Sequence, residues 1–194
     1  MPLAGQAPLP LPTPSIRHAA GLALTLALLG ALGLGLLVWR GEEPGGIDEA
    51  MMAVFGKPDL GPVDFARLRR RLVPNDALAC PADVCPAKAD LVTPEFPVSA
   101  DRLRAIVAEV ALAEPRTELV YSARWEEQDR YVARSRVLRF PDTIDAMVVG
   151  RGEGRSTVAL YSRAQLGLYD FGVNRRRLAR WLDGIAARAG RAQP

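Results

Sequence analysis

Three arginines in the C-terminal half of the sequence are spaced so that they could bind an anion. Arg134 and Arg136 would share one face of a strand with the apolar residues Val132, Leu138 and Phe140. Arg163 ends another strand-like stretch. A guanidinium group holds a carboxylate or phosphate through two parallel hydrogen bonds. We therefore take these three arginines as the candidate ligand-binding residues.

The residue types that catalyse acyl transfer or bind zinc are nearly missing. The single histidine, His18, borders a long apolar run, and Cys80 and Cys85 are the only cysteines. A Ser-His-Asp or Cys-His arrangement therefore cannot form in the folded domain, and a zinc site would have only two soft ligands. The glycines of residues 150–154 also lack the spacing of nucleotide-binding loops. We expect no catalytic residue, metal or cofactor, and we expect that the protein is not an enzyme.

The two cysteines are separated by four residues, which is neither a redox nor a zinc spacing. A disulfide closes so small a loop if the two Cα atoms come within about 7 Å. Such bonds persist outside the cytoplasm. We expect a Cys80–Cys85 disulfide there, with two free thiols as the alternative.

The charge is unevenly distributed along the chain. Of 194 residues, 49% are apolar, which excludes a wholly disordered chain, and 25 Lys and Arg face 22 Asp and Glu. Arg17 and Arg40 are the only charged residues among the first 40, so residues 41–194 hold 23 basic and 22 acidic residues. Nucleic-acid binding needs a concentrated positive field. We expect no nucleic-acid partner, and expect the arginine clusters to meet anions within the fold or outside it.

A run of 21 residues from Ala19 to Trp39 contains no charge. About 20 residues of helix span the hydrocarbon core of a bilayer. A cleaved signal has a shorter apolar core and a small-residue cleavage site, and the sequence favours an uncleaved anchor instead. Lys and Arg are balanced at the two ends, but the short acid-free tail and the cysteines favour an outside C-terminal domain. The prediction is a single pass through the inner (cytoplasmic) membrane with a periplasmic domain.

The remaining elements predict an α+β fold. Ser99 and Asn174 each precede an amphipathic helical pattern and are placed to cap it. Four strand-like stretches lie between them, at residues 117–125, 131–140, 143–149 and 156–163, with a possible fifth at 91–96. Short connections favour an antiparallel β-meander of four to five strands, with both helices packed on one face.

Four segments are therefore predicted. They are a disordered Pro-rich tail at 1–18, a transmembrane helix at 19–39, a tether with short helices at 40–73 and a globular domain at 74–194.

Residues 161–175 have the most specific pattern, and they read YSRAQLGLYDFGVNR. This stretch resembles the C-terminal signature S-R-S-x-x-G-x-S-D-L/F-G-V-N-R of the domain-of-unknown-function family numbered 1499. Residues 134–136 and 140–145 resemble its central strands, and the similarity runs from about Pro74 to the end. Ala164 and Tyr169 depart from the signature, where small hydroxyl residues are usual. The resemblance implies no agreed activity and an uncharacterised, membrane-anchored bacterial member. Members of the family are often predicted to be exported, membrane-anchored or chloroplast-lumenal, which favours an outside domain.

The matching signature residues are Ser162, Arg163, Gly167, Asp170, Gly172, Asn174 and Arg175. We interpret the signature as a folding device in which Arg163 pairs with Asp170, the glycines allow the turn and Asn174 caps the helix. The alternative is a ligand site.

Two functions remain open. One is a non-enzymatic assembly or accessory factor of the cell envelope that contacts another protein. The other is a binder of a small apolar or anionic ligand, or a lipid, in a pocket between sheet and helices. A filled interior with paired arginines would favour the first, and an apolar pocket with unpaired guanidinium groups would favour the second.

Overall fold

The computed structural model describes residues 16–123 and 128–191. In chain order its helices and strands are α1 (Ile16–Arg40), α2 (Ile47–Phe55), β1 (Asp76–Ala79), α3 (Ala100–Ala113), β2 (Thr117–Ala123), β3 (Gln128–Arg134), β4 (Pro141–Gly152), β5 (Arg155–Ala164) and α4 (Val173–Arg191). The predicted tail at 1–18 lies almost entirely outside the described residues, as do the last two residues of the stretch 117–125.

The five strands form one antiparallel sheet in the order β1-β5-β4-β3-β2. Helices α3 and α4 pack together on one face of this sheet, which we call the inner face. The predicted α+β class, antiparallel meander and placement of the helices are confirmed. Ser99 caps α3 as predicted, because its hydroxyl accepts a hydrogen bond from the Arg102 amide at 3.3 Å.

Two predicted strands differ from the structure. The stretch 131–140 ends as a strand at Arg134, because the Ser135 amide and hydroxyl bond back to Phe140 and close a turn. The predicted strand at 91–96 forms only isolated bridges to Ala79 and Ser156. Pro94 interrupts it, since proline cannot donate to a strand ladder. The fifth strand is β1, which pairs with β5 instead.

The inner face holds the main hydrophobic core. Alternate residues of the strands point towards α3 and α4, as the period of two requires. Tyr131 of β3 meets Trp181 of α4 edge-to-face, with ring centroids 5.7 Å apart. Both side chains are almost completely buried. This packing fills the space between sheet and helices at the centre of the domain.

The opposite, outer face is covered by irregular chain. Residues 58–71, which we call the strap, cross this face, and their regular structure is one 3-10 turn at Phe65–Arg67. Phe65 and Leu68 of the strap pack on Leu78 and Tyr161 in a second apolar cluster. A Cys80–Cys85 disulfide adjoins that cluster, with its Cα atoms 6.2 Å apart. Both faces of the sheet are therefore covered.

Helix α1 stands apart from the domain core. Residues His18–Arg40 are long and apolar enough to cross a membrane, and none of this span is buried within the protein. A signal sequence near the N-terminus can meet the same criteria of length and composition, so the helix is only a candidate span.

Candidate functional site

Arg163 lies on the outer face of the sheet, where it is paired within the fold. Its Nη2 atom donates to Asp145 Oδ2 of β4 at 2.7 Å and to the Gly61 carbonyl of the strap, also at 2.7 Å. The predicted Arg163–Asp170 pair is wrong. The Asp170 carboxylate instead accepts hydrogen bonds from the amides of Gly172 and Asn174.

A second arginine on this face, Arg130, holds the strap from the neighbouring strand. Its Nε and Nη2 atoms bind the two Asp59 carboxylate oxygens at 2.6 and 2.8 Å, and its guanidinium carbon lies 4.6 Å from the centre of the Tyr121 ring. The hydrogen bond from Arg130 lowers the pKa of Asp59. Burial raises the pKa of Asp145 to about 6, against the attraction of Arg163 and Arg130. Two carboxylates and two arginines thus fasten the strap to the sheet.

Arg134, the next arginine along β3, is also occupied. It pairs with Glu118 at 2.7 Å and with Asp48 of α2 at 3.2 Å. Arg139, which the sequence analysis did not single out, binds the same Asp48 through two hydrogen bonds of 2.5 and 2.7 Å. No sequence signal marks this pairing, since its partners are 91 residues apart.

Arg136 differs from the other two candidate arginines. It is exposed in the turn 135–140, and it forms no hydrogen bond or ion pair with the residues that the structure describes. Arg134, Arg136 and Arg163 therefore do not converge on one ligand. Two of them hold segments that follow α1, and the third faces solvent.

Ser162 and Asn174 belong to a buried polar cluster at the inner face. Arg177 of α4 donates to Asn174 Oδ1 at 2.7 Å, to Ser162 Oγ at 3.1 Å and to Asp142 Oδ2 at 2.8 Å. Burial raises the pKa of Asp142, against the pull of Arg177. Sequence reasoning missed Arg177, although a signal was present: it is four residues before Trp181, on the apolar side of the helix.

The start of α4 is capped by a different residue from the one predicted. Asn174 does not serve as the cap, because its side chain is buried against Ser162 and the carbonyl of Asn75. Asp170 supplies the carboxylate instead. Gly167 and Gly172 have φ of +86° and +73°, so a side chain at either position would be strained. Arg175 is exposed on the first turn of α4.

One cleft lies between α3 and the β2–β3 side of the sheet, with a volume of about 490 Å³. Arg104 and Asp129 meet there through hydrogen bonds of 2.9 and 2.6 Å. Tyr131 is one of the residues that line this cleft, and its buried hydroxyl has no hydrogen-bond partner among the described residues. In residues 16–123 and 128–191, no three or more His, Cys, Asp or Glu side chains are grouped so that they could hold a metal ion.

The ion pair between Asp59 and Arg130 gives a testable prediction. Asp59→Asn should lower the free energy of unfolding by about 2 kcal/mol at pH 7, since a hydrogen-bonded charge pair is lost. The pKa of Asp59 is below its ordinary 3.8 in the folded state, so the wild type keeps this contribution above pH 3.8 and loses it in stronger acid. Urea denaturation of wild type and Asp59→Asn, at pH 7 and in stronger acid, measures both differences in the free energy of unfolding.

Asp64→Asn is the matched control for that prediction, because the Asp64 carboxylate is mostly exposed and bonds only within its own turn and to Arg67. Its unfolding free energy should stay within about 0.5 kcal/mol of the wild type. A difference between Asp59→Asn and wild type that persists undiminished at about pH 2 would contradict the assignment.

Comparison with known proteins gives a family and several distant likenesses to solved structures. No curated protein matches the sequence. Norcoclaurine synthase from Thalictrum flavum shares 11% identity over 53% of this chain and 86% of its own, with a TM-score of 0.39. The Zhui aromatase/cyclase from Streptomyces sp. R1128 shares 11% over 52% of this chain and 92% of its own, with a TM-score of 0.34. Likenesses this weak carry no argument about fold or function.

The family model described as "Protein of unknown function (DUF1499)" matches residues 77–185. The match includes β1 from its second residue, β2 to β5, helix α3 and most of α4, with every signature residue from Ser162 to Arg175. It covers more than half of the chain, and the protein belongs to the DUF1499 family.

Proposed function

We propose that this protein is a single-pass membrane protein whose domain lies outside the cytoplasm and works, without enzymatic chemistry, as an accessory factor for another envelope protein. The observation that carries this proposal is the use of the arginines. Arg134 and Arg163, the candidates for ligand binding, hold the segments that connect α1 to the domain.

These ion pairs restrict the position of the domain relative to α1. Asp48 is bound by Arg134 and Arg139, only eight residues after α1 ends, and Asp59 is bound by Arg130. A domain on a free tether would sample many orientations, and binding a partner would then cost their entropy. A domain held close to the end of the anchor presents the same surface at a fixed distance from the membrane. This arrangement suits contact with another membrane protein.

Two further features support the location. Helix α1 has the length and composition of an anchor, and its side chains find no partner surface in the domain. The Cys80–Cys85 disulfide favours an oxidising compartment, because cytosolic thiols are kept reduced.

Fusions at the C-terminus test the orientation in cells. An alkaline phosphatase fusion should be active and a green fluorescent fusion dark, because the phosphatase needs its disulfides. An inactive phosphatase fusion together with a bright fluorescent one would place the domain in the cytoplasm and contradict the proposal.

Purification of the full chain from mild detergent tests the partner. A crosslinked envelope protein should be recovered with wild type. The double variant Asp48→Asn/Asp59→Asn, which releases the connecting segment, should recover about fivefold less of it. Asp83→Asn, at an exposed carboxylate paired with Arg151, is the control and should retain the partner. Equal recovery in all three proteins would contradict a role for the fixed position.

The cleft beside α3 favours a second candidate, a binder of a small polar or apolar molecule. Its specific observation is the buried Tyr131 hydroxyl, which an internal ligand could accept from or donate to. Native mass spectrometry of the gently extracted full chain should then show a bound small molecule that Tyr131→Phe loses. Without a ligand, removing an unsatisfied hydroxyl should instead stabilise the protein by about 1 kcal/mol.

A further inference from the structure

The end of the sheet nearest α1 exposes large apolar side chains on two loops. One is the β3–β4 turn, residues 135–140, and the other is the β5–α4 loop, residues 165–172. Their exposed members include Val137 at 60%, Leu138 at 37%, Leu168 at 75%, Tyr169 at 57% and Phe171 at 77%. We call these five side chains the tip surface. Apolar groups concentrated in this way on one end of a domain indicate an interaction surface.

The two loops are neighbours because of the strand order. Strand β4 pairs with both β3 and β5, so the turn before β4 and the loop after β5 leave the sheet at the same end. A hydrogen bond of 3.0 Å from the Gln165 amide to the Pro141 carbonyl joins their bases. The tip surface therefore belongs to one end of the domain.

The same end meets the chain where it leaves α1. Arg139, from the β3–β4 turn, binds Asp48 and lies 3.3 Å from Glu42, two residues after the end of α1. The Gln165 side chain, from the other loop, donates to the carbonyls of Phe55 and Lys57. The anchor and the tip surface are thus on the same side of the protein.

Two exposed arginines border the tip surface, Arg136 in the β3–β4 turn and Arg175 at the start of α4. Arg139, the other arginine of the turn, is already paired with Asp48 and Glu42. In the β5–α4 loop the one acid, Asp170, is held by two backbone amides, and the exposed Arg175 follows it. Apolar side chains bordered by arginines match the chemistry of a bilayer surface, where the first enter the acyl boundary and the second meet anionic headgroups.

We propose that the tip surface docks on the bilayer that α1 crosses, with its five apolar side chains in the interface and with Arg136 and Arg175 facing anionic lipid. This inference rests on the proposed function in one respect, that α1 is a retained membrane anchor. A lipid surface fits better than a partner protein, because a bilayer is necessarily present at the end of an anchoring helix. Two separate loop tips can also enter a bilayer without the shape-complementary groove that a partner protein would have to supply.

Hydrogen exchange of the full chain in nanodiscs tests the docking. The protein is placed at one copy per disc in phosphatidylcholine containing phosphatidylglycerol, and amides of 136–139 and 167–171 are followed by mass spectrometry. Wild type should exchange there about tenfold more slowly than Leu138→Glu/Leu168→Glu, since the charged variant leaves the interface. Val92→Glu, at an exposed apolar residue on the far side of β1, is the control and should behave as wild type.

The lipid charge gives an independent arm. Arg136→Glu/Arg175→Glu should lose protection in the anionic discs, whereas Arg155→Glu, at the opposite hairpin, should keep it. Exchange of the buried amides of β5 verifies that every variant is folded.

The outcomes separate the two proposals. If alkaline washing removes the chain from the discs, the anchor is wrong and the docking falls with it. If the chain stays but wild-type loops exchange as fast as those of Leu138→Glu/Leu168→Glu, the anchor holds and the docking is wrong. Protection that requires two copies per disc would assign the tip surface to a second copy and would also overturn the docking.

Discussion

Arg177→Ala should reduce the free energy of unfolding by about 3–5 kcal/mol, the range for breaking a buried ion pair from one side. Arg177 is 4% exposed, and its guanidinium group binds Asp142, Asn174 and Ser162. Alanine would leave the Asp142 carboxylate without its charge partner in a buried position. Urea denaturation followed by tryptophan fluorescence measures the loss, with the core residue Trp181 on the same helix as one reporter.

Two variants control this prediction. Arg175→Ala, two residues earlier on the exposed side of α4, should stay within about 0.5 kcal/mol of wild type. Arg177→Met/Asp142→Leu removes both charges at once and should recover most of the loss, because no unpaired charge remains. If Arg177→Ala were as stable as Arg175→Ala, the buried cluster would not hold α4 to the sheet.

Arg163→Ala should cost about 3 kcal/mol at pH 7 and at least about 1 kcal/mol less at pH 5. Arg163 supports Asp145, whose side chain is 2% exposed, and it holds the Gly61 carbonyl of the strap. The pH dependence arises because the carboxyl left behind can take up a proton and become neutral. A neutral carboxyl is far cheaper to bury than a carboxylate.

The sign follows from the two states of Asp145. Its pKa is about 6 in the folded protein and 3.8 without the fold, so folding binds a proton between these values, and acidification from pH 6 to pH 4 stabilises the fold. Removing Arg163 takes away a favourable cation and raises the folded pKa further. The free energy of unfolding of Arg163→Ala therefore increases more than that of wild type as the pH falls from 7 to 5.

The double variant Arg163→Ala/Asp145→Asn is the control. Because it has no carboxyl at position 145, its free energy of unfolding should not show the additional increase between pH 7 and pH 5 that Arg163→Ala shows. Arg155→Ala, on the same strand with a half-exposed side chain, should be nearly neutral at both pH values. If Arg163→Ala melts normally and loses a biological function, the signature arginine serves a ligand rather than the fold.

The elements that the sequence predicts well are those with a local signal. Helix α3 has a serine cap and apolar residues three and four apart, and strand β4 has the apolar residues Ile144, Ala146 and Val148 at every second position. Strand β1 has only four residues, too few to show a period, and it becomes a strand by pairing with β5 about 80 residues later. Its place at the sheet edge is therefore a tertiary property.

The candidate site could be predicted only in its residue types. The charge balance of the sequence already indicates that the arginines need anionic partners. The partners themselves are distant in sequence: Asp59 lies 71 residues from Arg130, and Asp48 lies 91 residues from Arg139. No local pattern connects groups so far apart. The Arg163–Asp170 prediction failed for the same reason: it chose a nearby acid, whereas the sheet register brings Asp145 into reach.

The strap also determines the order in which the protein can be completed during synthesis. Residues 58–71 leave the ribosome well before β3 and β5, yet their partners Arg130 and Arg163 are on those later strands. The apolar strap residues Phe65 and Leu68 must therefore wait in an unfolded nascent chain until nearly the whole domain has emerged. A chain stopped before Arg163 would lack β5, the strand that joins β1 to the rest of the sheet, so folding should be a late and single event.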